Sequence, residues 1–214
     1  MFRAPPRSEL RTRLPRLVVG LLGCGTGVAS MVRAGLGLGP WEVLHQGIAA
    51  RTGLPIGTIS ILVAFVVLLG WIPLRQPLGI GTISNAILIG LTTNTVLGLL
   101  DPPAHLAARI ALLVVGILLL GAGSGLYIGA GLGPGPRDGL MTGISARTEG
   151  RLSIRLVRTA IELTALAAGW ALGGTVGIGT VLFALSIGPL VQFFLDKLSV
   201  PVRIVQPELA GPAE

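Results

Sequence analysis

The sequence predicts an all-α membrane protein made of two related halves, and two observations lead to this fold class. The first is composition: 51% of the 214 residues are hydrophobic and 12% are charged, whereas soluble domains carry about 25% charged residues. The second is an internal repeat, because Leu17–Thr52 and Leu113–Thr148 align without a gap and are identical at about half of their positions. With a mean hydropathy of +0.83, the chain has room for six spans of about 20 residues each.

The repeat extends beyond that alignment, so each half is predicted to contain the same elements in the same order. Gly79-Ile-Gly-Thr82 matches Gly177-Ile-Gly-Thr180, and Gly70-Trp71 matches Gly169-Trp170. The Gly-Ile-Gly-Thr string is typical of a helix start, with its threonine near the cap. The predicted organisation is a basic cytoplasmic tail (1–16), a first three-helix repeat (17–100), a linker (101–108), a second three-helix repeat (109–195) and a cytoplasmic C-terminal tail (196–214).

The first span is predicted over Leu17–Ala34. Its arginine-rich approach and apolar run resemble a signal peptide, and Val28–Ser30 resembles a cleavage site. The same stretch recurs inside the chain as Leu113–Ile128, where a signal peptide cannot lie, so we interpret the first copy as a retained helix. The other spans are predicted at about 54–73, 80–100, 109–130, 152–172 and 177–195, from their apolar runs.

An odd number of spans in each half predicts that the second half is inverted relative to the first, about an axis in the membrane plane. The distribution of charge agrees with this topology. With the N-terminus in the cytoplasm, thirteen of the sixteen lysines and arginines fall on the cytoplasmic side, as the positive-inside rule requires. The three that fall outside are Arg33, Arg51 and Arg109.

Each half also contains a short predicted helix that begins at a Gly-Pro pair, Gly39-Pro40 or Gly135-Pro136. Proline suits the first helical position, because it loses no hydrogen bond there and presets φ. A carboxylate follows two residues later, Glu42 or Asp138, where the helix dipole favours negative charge. Both helices are too short to cross a bilayer.

Two interpretations of these short helices remain open. Glycine-rich irregular backbone at membrane depth is tolerated only inside protein or around a cavity, and paired interrupted helices in inverted halves form midplane sites in transporters. Alternatively, both helices lie at the interface and close the ends of the bundle. Their polar side chains favour a site, whose candidate residues are Gly39, Pro40, Trp41, Glu42, His45, Gln46, Gly135, Pro136, Arg137 and Asp138.

Further candidates lie inside the predicted spans. Glu162 is the one acid deep in a span, where an ionisable group is expensive and indicates function by default; it would take up and release a proton. Arg158 and Arg155 share its helical face, so the alternative is a structural Arg158–Glu162 pair that locks the bundle. Asn85 and Asn94, in the third span, either line a pathway or bridge helices.

Several function classes are disfavoured by the residues themselves. The single cysteine, Cys24, excludes an internal disulfide, and the two histidines lie far apart, so we predict no metal site, no cofactor and no catalytic residue. Arginines at the ends of apolar runs, without interleaved aromatics, disfavour nucleic acid. Gly121, Gly125 and Gly129 are typical of a helix-packing face rather than a phosphate loop, because no strand precedes them.

Three strings of the chain resemble one known family. Gly37–Ile48, Gly79–Thr82 and Arg158–Glu162 are similar to the YczE/YyaS/YitT group of bacterial integral membrane proteins, and to its YczE branch above all. The resemblance covers residues 17–195, although Glu42 stands where such sequences commonly carry Asp. It implies a small polytopic protein of the bacterial cytoplasmic membrane, and it implies neither a substrate nor catalytic residues.

The function predicted from the sequence is secondary transport of a small solute, with an anionic group drawn to the positive ends of the two short helices. Glu162 would carry the coupling proton and Arg158 would tune it. The alternative comes from another class: a membrane accessory or scaffold that assists a partner pathway without moving a solute. The predicted partners are the lipid bilayer and the solute, and a homo-oligomer stays open.

Overall fold

The computed structural model describes residues 7–148 and 151–199, and within these ranges the chain forms helices joined by short turns. The first half contains α1 (Arg7–Ala34), α2 (Pro40–Thr52), α3 (Ile56–Leu69), α4 (Trp71–Leu74) and α5 (Ile80–Leu99). The second half contains α6 (Leu106–Gly129), α7 (Pro136–Arg147), α8 (Ile154–Ala171) and α9 (Ile178–Leu198). The predicted all-α class is confirmed.

Five helical segments of the described residues are long and apolar enough to cross a bilayer, namely α1 from Glu9, α3 continued by α4, α5, α6 and α9. Their outer faces carry apolar side chains such as Leu99 and Leu185, which are 81% and 73% exposed, as lipid-facing surfaces do. The predicted fifth span, α8, is not among the five, because its 18 residues include two arginines and Glu162. It packs on α2 and α7, whereas α3, its counterpart in the first half, also packs along α5.

A close antiparallel contact between α1 and α6 forms the core of the bundle. A Cβ atom on Gly20 would lie 2.7 Å from the carbonyl oxygen of Gly123, and one on Gly27 would lie 2.6 Å from that of Gly116. Residues later in α1 contact residues earlier in α6, so the two helices run in opposite directions. Such glycine faces let helix backbones approach closely in a membrane, where packing replaces the hydrophobic effect as the driving force.

Two equivalent arginines join the ends of α1 and α6. Arg13, near the start of α1, is 3% exposed and donates to the carbonyl oxygen of Ala130, just beyond α6, at 2.7 Å. Arg109, near the start of α6, donates to the carbonyl oxygen of Ala34, at the end of α1, at 2.7 Å. Each side chain therefore satisfies a carbonyl group that the helix end leaves without an intrahelical partner.

Part of the predicted N-terminal tail is helical, since residues 7–16 form the first turns of α1. Contacts made by these residues explain the difference. Arg13 pairs with Glu9 at 2.9 Å, and Arg16 donates to the carbonyl oxygen of Leu198 at 3.0 Å. At the other end, α9 continues to Leu198, two residues beyond the predicted start of the C-terminal tail. The rest of both predicted tails, 1–6 and 200–214, lies outside the described residues.

The glycine-rich loop before each short helix packs against the helix start of the other half. The backbone nitrogen of Gly179, in α9, donates to the carbonyl oxygen of Leu36 at 2.8 Å, and that of Gly81, in α5, donates to the carbonyl oxygen of Leu132 at 2.9 Å. The two bonds join equivalent positions of the repeat. These two reciprocal hydrogen bonds hold the starts of α2 and α7 against the opposite half.

Glycine is required at one position of each loop. Gly37 and Gly133 have φ angles of +113° and +131°, which side chains rarely tolerate. A Cβ atom on Gly37 would also lie 2.7 Å from the nitrogen of Gly177, and one on Gly133 would lie 2.8 Å from the hydroxyl oxygen of Thr82. The repeated Gly-Leu-Gly string therefore follows from both backbone conformation and close packing.

Candidate functional site

A cavity of about 80 Å³ lies where the first turns of α2 and α7 meet α1, α3, α5 and α6. Its walls combine apolar side chains with many polar ones. The polar lining residues are Cys24, Trp41, Glu42, His45, Ser60, Asn85, Ser124, Tyr127 and Arg137. Neither α8 nor α9 contributes to the lining, so the cavity is built from both halves but not symmetrically.

The first turns of α2 bring three buried polar side chains to the cavity. The helix begins at Pro40 after the extended residue Gly39, so its side chains project into the protein from the first turn. Trp41, Glu42 and His45 are only 9%, 8% and 9% exposed. Within the described residues, Glu42 Oε2 and Trp41 Nε1 are buried without a hydrogen-bond partner.

The first turn of α7 carries Asp138, whose carboxylate has a hydrogen-bond donor inside the protein, and Arg137, whose side chain lines the cavity. Trp71 Nε1 donates to the carbonyl oxygen of Pro136 at 2.9 Å, which fixes the start of the helix. The Tyr127 hydroxyl donates to Asp138 Oδ2 at 3.0 Å, so the Asp138 carboxylate has a partner inside the protein. Arg137 lines the cavity and takes part in no ion pair among residues 7–148 and 151–199.

His45 contributes an uncharged ring to the same wall. It lies on α2, outside the five segments that are long enough to span a membrane. Burial lowers the pKa of His45 to about 4, and the positive charge of Arg137 acts in the same direction. The imidazole is therefore neutral at pH 7 and offers one donor and one acceptor.

The cavity departs from the general rule that buried polar groups have hydrogen-bond partners. A buried carboxylate oxygen and a buried indole N–H without partners are each unfavourable by themselves. Here Glu42 and Trp41 each have one such atom, and they line one small space with Arg137, which forms no ion pair among the described residues. The arrangement is suited to bind a small polar molecule against Glu42 and Arg137.

Most of the predicted site residues of the short helices meet at this cavity. Its lining includes Trp41, Glu42, His45, Asn85, Gly135, Pro136 and Arg137. Gly39, Pro40 and Asp138 lie in the same helix starts without lining it.

Two predicted residues make other contacts. Gln46 accepts a hydrogen bond from the nitrogen of Thr175 at 2.7 Å. Asn94 accepts from the nitrogen of Gly57 at 2.8 Å and donates to the Thr58 hydroxyl at 3.1 Å. Asn94 thus bridges α5 and α3, the alternative considered for it.

The predicted cluster on α8 lies apart from the cavity. Arg158 Nε donates to Glu162 Oε1 at 3.0 Å, and their side chains are 55% and 33% exposed. Arg155 is exposed as well, and none of the three lines the cavity. The predicted Arg158–Glu162 contact is present, and the role of Glu162 in proton coupling stays a prediction.

Sequence reasoning misses four polar lining residues, Cys24, Ser60, Ser124 and Tyr127. Only Tyr127 carries a usable signal, because it is the single tyrosine of the chain and stands where the first half has Met31. Isolated serines in apolar helices more often bridge helices than mark sites. The proximity of Cys24 and Ser124, with Sγ and Oγ 3.8 Å apart, depends on the packing of α1 against α6.

The apolar helices and the polar cavity between them define a helical membrane protein with a candidate small-molecule site. The chain belongs to a family of unknown function, DUF6198, whose model matches residues 11–196, and to the YczE-like group of membrane proteins. The predicted family resemblance is confirmed.

Three relatives illustrate the similarity. The chain is 48% identical over 181 residues to an uncharacterized protein of Haemophilus influenzae, covering 85% of this chain and 81% of the relative. It is 33% identical over 194 residues to the uncharacterized membrane protein YczE of Bacillus subtilis, covering 89% of each. It is 25% identical over 182 residues to the uncharacterized protein YyaS of the same organism, covering 83% and 89%. No solved structure matches this chain.

Proposed function

We propose that this protein is a secondary transporter that moves a small solute through the cavity between its two halves and has no enzymatic activity. The observation that carries the proposal is that Glu42 and Arg137, one from each short helix, both line one polar cavity and form no ion pair with each other. Transporters of several folds bind solutes where interrupted helices end near the membrane midplane. The two Gly-Pro helices of this protein begin at the cavity wall, which supports the same use.

We also propose that the halves form an inverted repeat of six spans. The antiparallel contact of α1 with α6 supports it, as do the two exchanged arginine contacts, Arg13 with Ala130 and Arg109 with Ala34. The sixth span would be α8, whose 18 residues extend over about 27 Å, close to the thickness of the hydrocarbon core. Rocking of one half against the other would then open the cavity to alternate sides.

The proposed location is the bacterial cytoplasmic membrane, with both termini in the cytoplasm. Relatives from two bacteria and the excess of arginine on the predicted cytoplasmic side support this. Glu162 is proposed as the proton-coupling group and Arg158 as the residue that tunes it, on the strength of their hydrogen bond. The solute is proposed to bind at the cavity, and coupling would involve motion of α8, which packs on α2 and α7.

Transport is tested by blocking the cavity. Ala64, on α3, lines the cavity, and Val66, two residues later, is 66% exposed on the outside. Three bacterial strains would overproduce the native protein, Ala64→Phe or Val66→Phe, and untargeted metabolite profiles of cells and medium would be compared. We expect a compound to be redistributed by the native protein and by Val66→Phe, and not by Ala64→Phe, because a phenyl ring fills the cavity.

Identical profiles in all three strains, with all proteins inserted in the membrane, would overturn transport and favour the accessory function. A fourth strain with Glu162→Gln tests coupling separately. We expect redistribution to lose its dependence on external pH, because glutamine cannot carry the proton. Unchanged redistribution with unchanged pH dependence would exclude Glu162 from coupling and leave the cavity proposal intact.

A further inference from the structure

We infer that the cavity takes a small zwitterion of the amino-carboxylate class, whose carboxylate binds Arg137 and whose ammonium group binds Glu42. This inference rests on the proposed function and names its substrate class. It replaces the purely anionic solute expected from the helix ends, because one acidic and one basic side chain, Glu42 and Arg137, line the cavity.

The cavity lining contains one acid and one base that form no ion pair within the described residues. Asp138, the other acid nearby, accepts the Tyr127 hydroxyl at 3.0 Å and does not line the cavity. The ion pairs formed within the described ranges lie elsewhere, at the start of α1 and on α8. Glu42 and Arg137 therefore both line the cavity without pairing with each other, and a ligand with two charged ends can bridge them.

A ligand of a single charge fits this arrangement less well. A simple anion would pair with Arg137 but would bring negative charge near the unpaired Glu42 carboxylate. A simple cation would pair with Glu42 but would be repelled by Arg137. Because a buried charge without a partner is strongly unfavourable, the ligand that satisfies both groups at once is the dipolar one.

The size of the cavity limits the ligand to a few heavy atoms. Its volume of about 80 Å³ is roughly half that of an engineered cavity of about 150 Å³ that binds benzene, so it suits a molecule no larger than glycine or alanine. The remaining wall includes Val63, Val67 and Ile89, which suit a hydrogen or methyl substituent and disfavour a charged side chain.

Ligand-induced stabilisation tests the inference directly, with the full-length protein in lipid nanodiscs. The probes are glycine, alanine and β-alanine, and the matched half-molecules are acetate and methylammonium. A ligand that binds the folded state raises the melting temperature. We expect at least one of the three zwitterions to raise it in a saturable way, and neither half-molecule to do so at the same concentrations.

Variants of Glu42 and Arg137 test which residue binds each end of the ligand. Glu42→Gln removes the acceptor for the ammonium group and Arg137→Gln removes the donor for the carboxylate, and each should weaken the affinity at least about tenfold. Arg137→Lys keeps the charge and should bind more tightly than Arg137→Gln. The controls Asp101→Asn and Arg151→Gln alter exposed charges and should bind like the native protein.

Each other outcome is decisive. If acetate alone or methylammonium alone stabilises as well as the zwitterions, the site recognises one charge and the inference is wrong. If none of the three zwitterions shifts a sharp native transition, the inference is also wrong, even where metabolite profiles establish transport of another solute. If a zwitterion binds but is not taken up by vesicles that contain the protein, the substrate class holds and the proposed transport fails.

Discussion

The two halves of the molecule differ in the side chain that packs beside the glycine at the start of each short helix. In one place Asn85, on α5, has its amide nitrogen next to Gly135, 3.4 Å from where a Cβ atom would lie. In the equivalent place Phe183, on α9, occupies the space beside Gly39, 2.8 Å from such an atom. The first position lines the cavity, and the second belongs to the hydrophobic core. One polar and one aromatic residue thus separate a site from its filled counterpart.

The acids of the two short helices show the same divergence. Asp138 is paired with Tyr127, whereas the position equivalent to Tyr127 in the first half is Met31, whose thioether cannot donate a hydrogen bond. Glu42 therefore has an unpartnered oxygen. Both halves have the same helix arrangement at this point, but among the described residues only the second half has a hydrogen bond to the acid of its short helix. Under the proposed function, the first half would supply the ligand-binding acid and the second half a structural one.

The largest effects should come from the glycines that both halves share. Gly37→Ala and Gly133→Ala each combine a positive φ angle with a collision against the opposite half. We expect each to destabilise the protein by about 3 kcal/mol or more, measured as a loss of apparent melting temperature in detergent. Gly53→Ala is the control, because φ is +74° there but nothing lies within 4 Å of the added atom. An equal loss at Gly53 would show that the collision contributes nothing.

A smaller effect should distinguish the two equivalent tryptophans. Trp71 is 2% exposed and donates to Pro136 at the start of α7, whereas Trp170 is 68% exposed. We expect Trp71→Phe to cost about 2 kcal/mol, through the lost hydrogen bond and the smaller ring. Trp170→Phe should change stability by less than about 0.5 kcal/mol. Thermal unfolding of the two variants in the same detergent measures the difference, and equal losses would contradict it.

The smallest effects should distinguish the two acids. Tyr127→Phe removes the partner of Asp138 and should destabilise the protein by about 1–2 kcal/mol. Glu42→Gln removes a buried charge that the described residues leave unpaired, so we expect no loss of stability, or a gain of about 1 kcal/mol. Denaturant titrations without added solute would measure both. A loss for Glu42→Gln as large as that for Tyr127→Phe would show that Glu42 has a structural role.

Much of the candidate site is predictable from local sequence, and the rest is not. Gly-Pro pairs predict where α2 and α7 begin, and the repeat identifies Glu42 and Asp138 as equivalent acids. Local sequence places Glu42 at the start of a short helix and Glu162 inside an apolar run, but it does not show which of the two acids lines a cavity. The structure separates them: Glu42 is 8% exposed at the cavity, and the side chain of Glu162 is 33% exposed beside Arg158.

The sequence by itself determined the membrane class, the duplication and the starts of the short helices, because composition, repetition and capping are properties of neighbouring residues. Only the tertiary structure decided that Arg13 caps α6, that α8 packs on α2 and α7, and that Asn85 faces a cavity while Phe183 fills its counterpart. Apart from the contact of α8 with α7, its neighbour in the chain, these outcomes depend on contacts between residues that lie about 50 to 150 positions apart. A change of one side chain at such a contact leaves the hydrophobic pattern of the helix unaltered, yet it determines whether the space between the helices is filled or open.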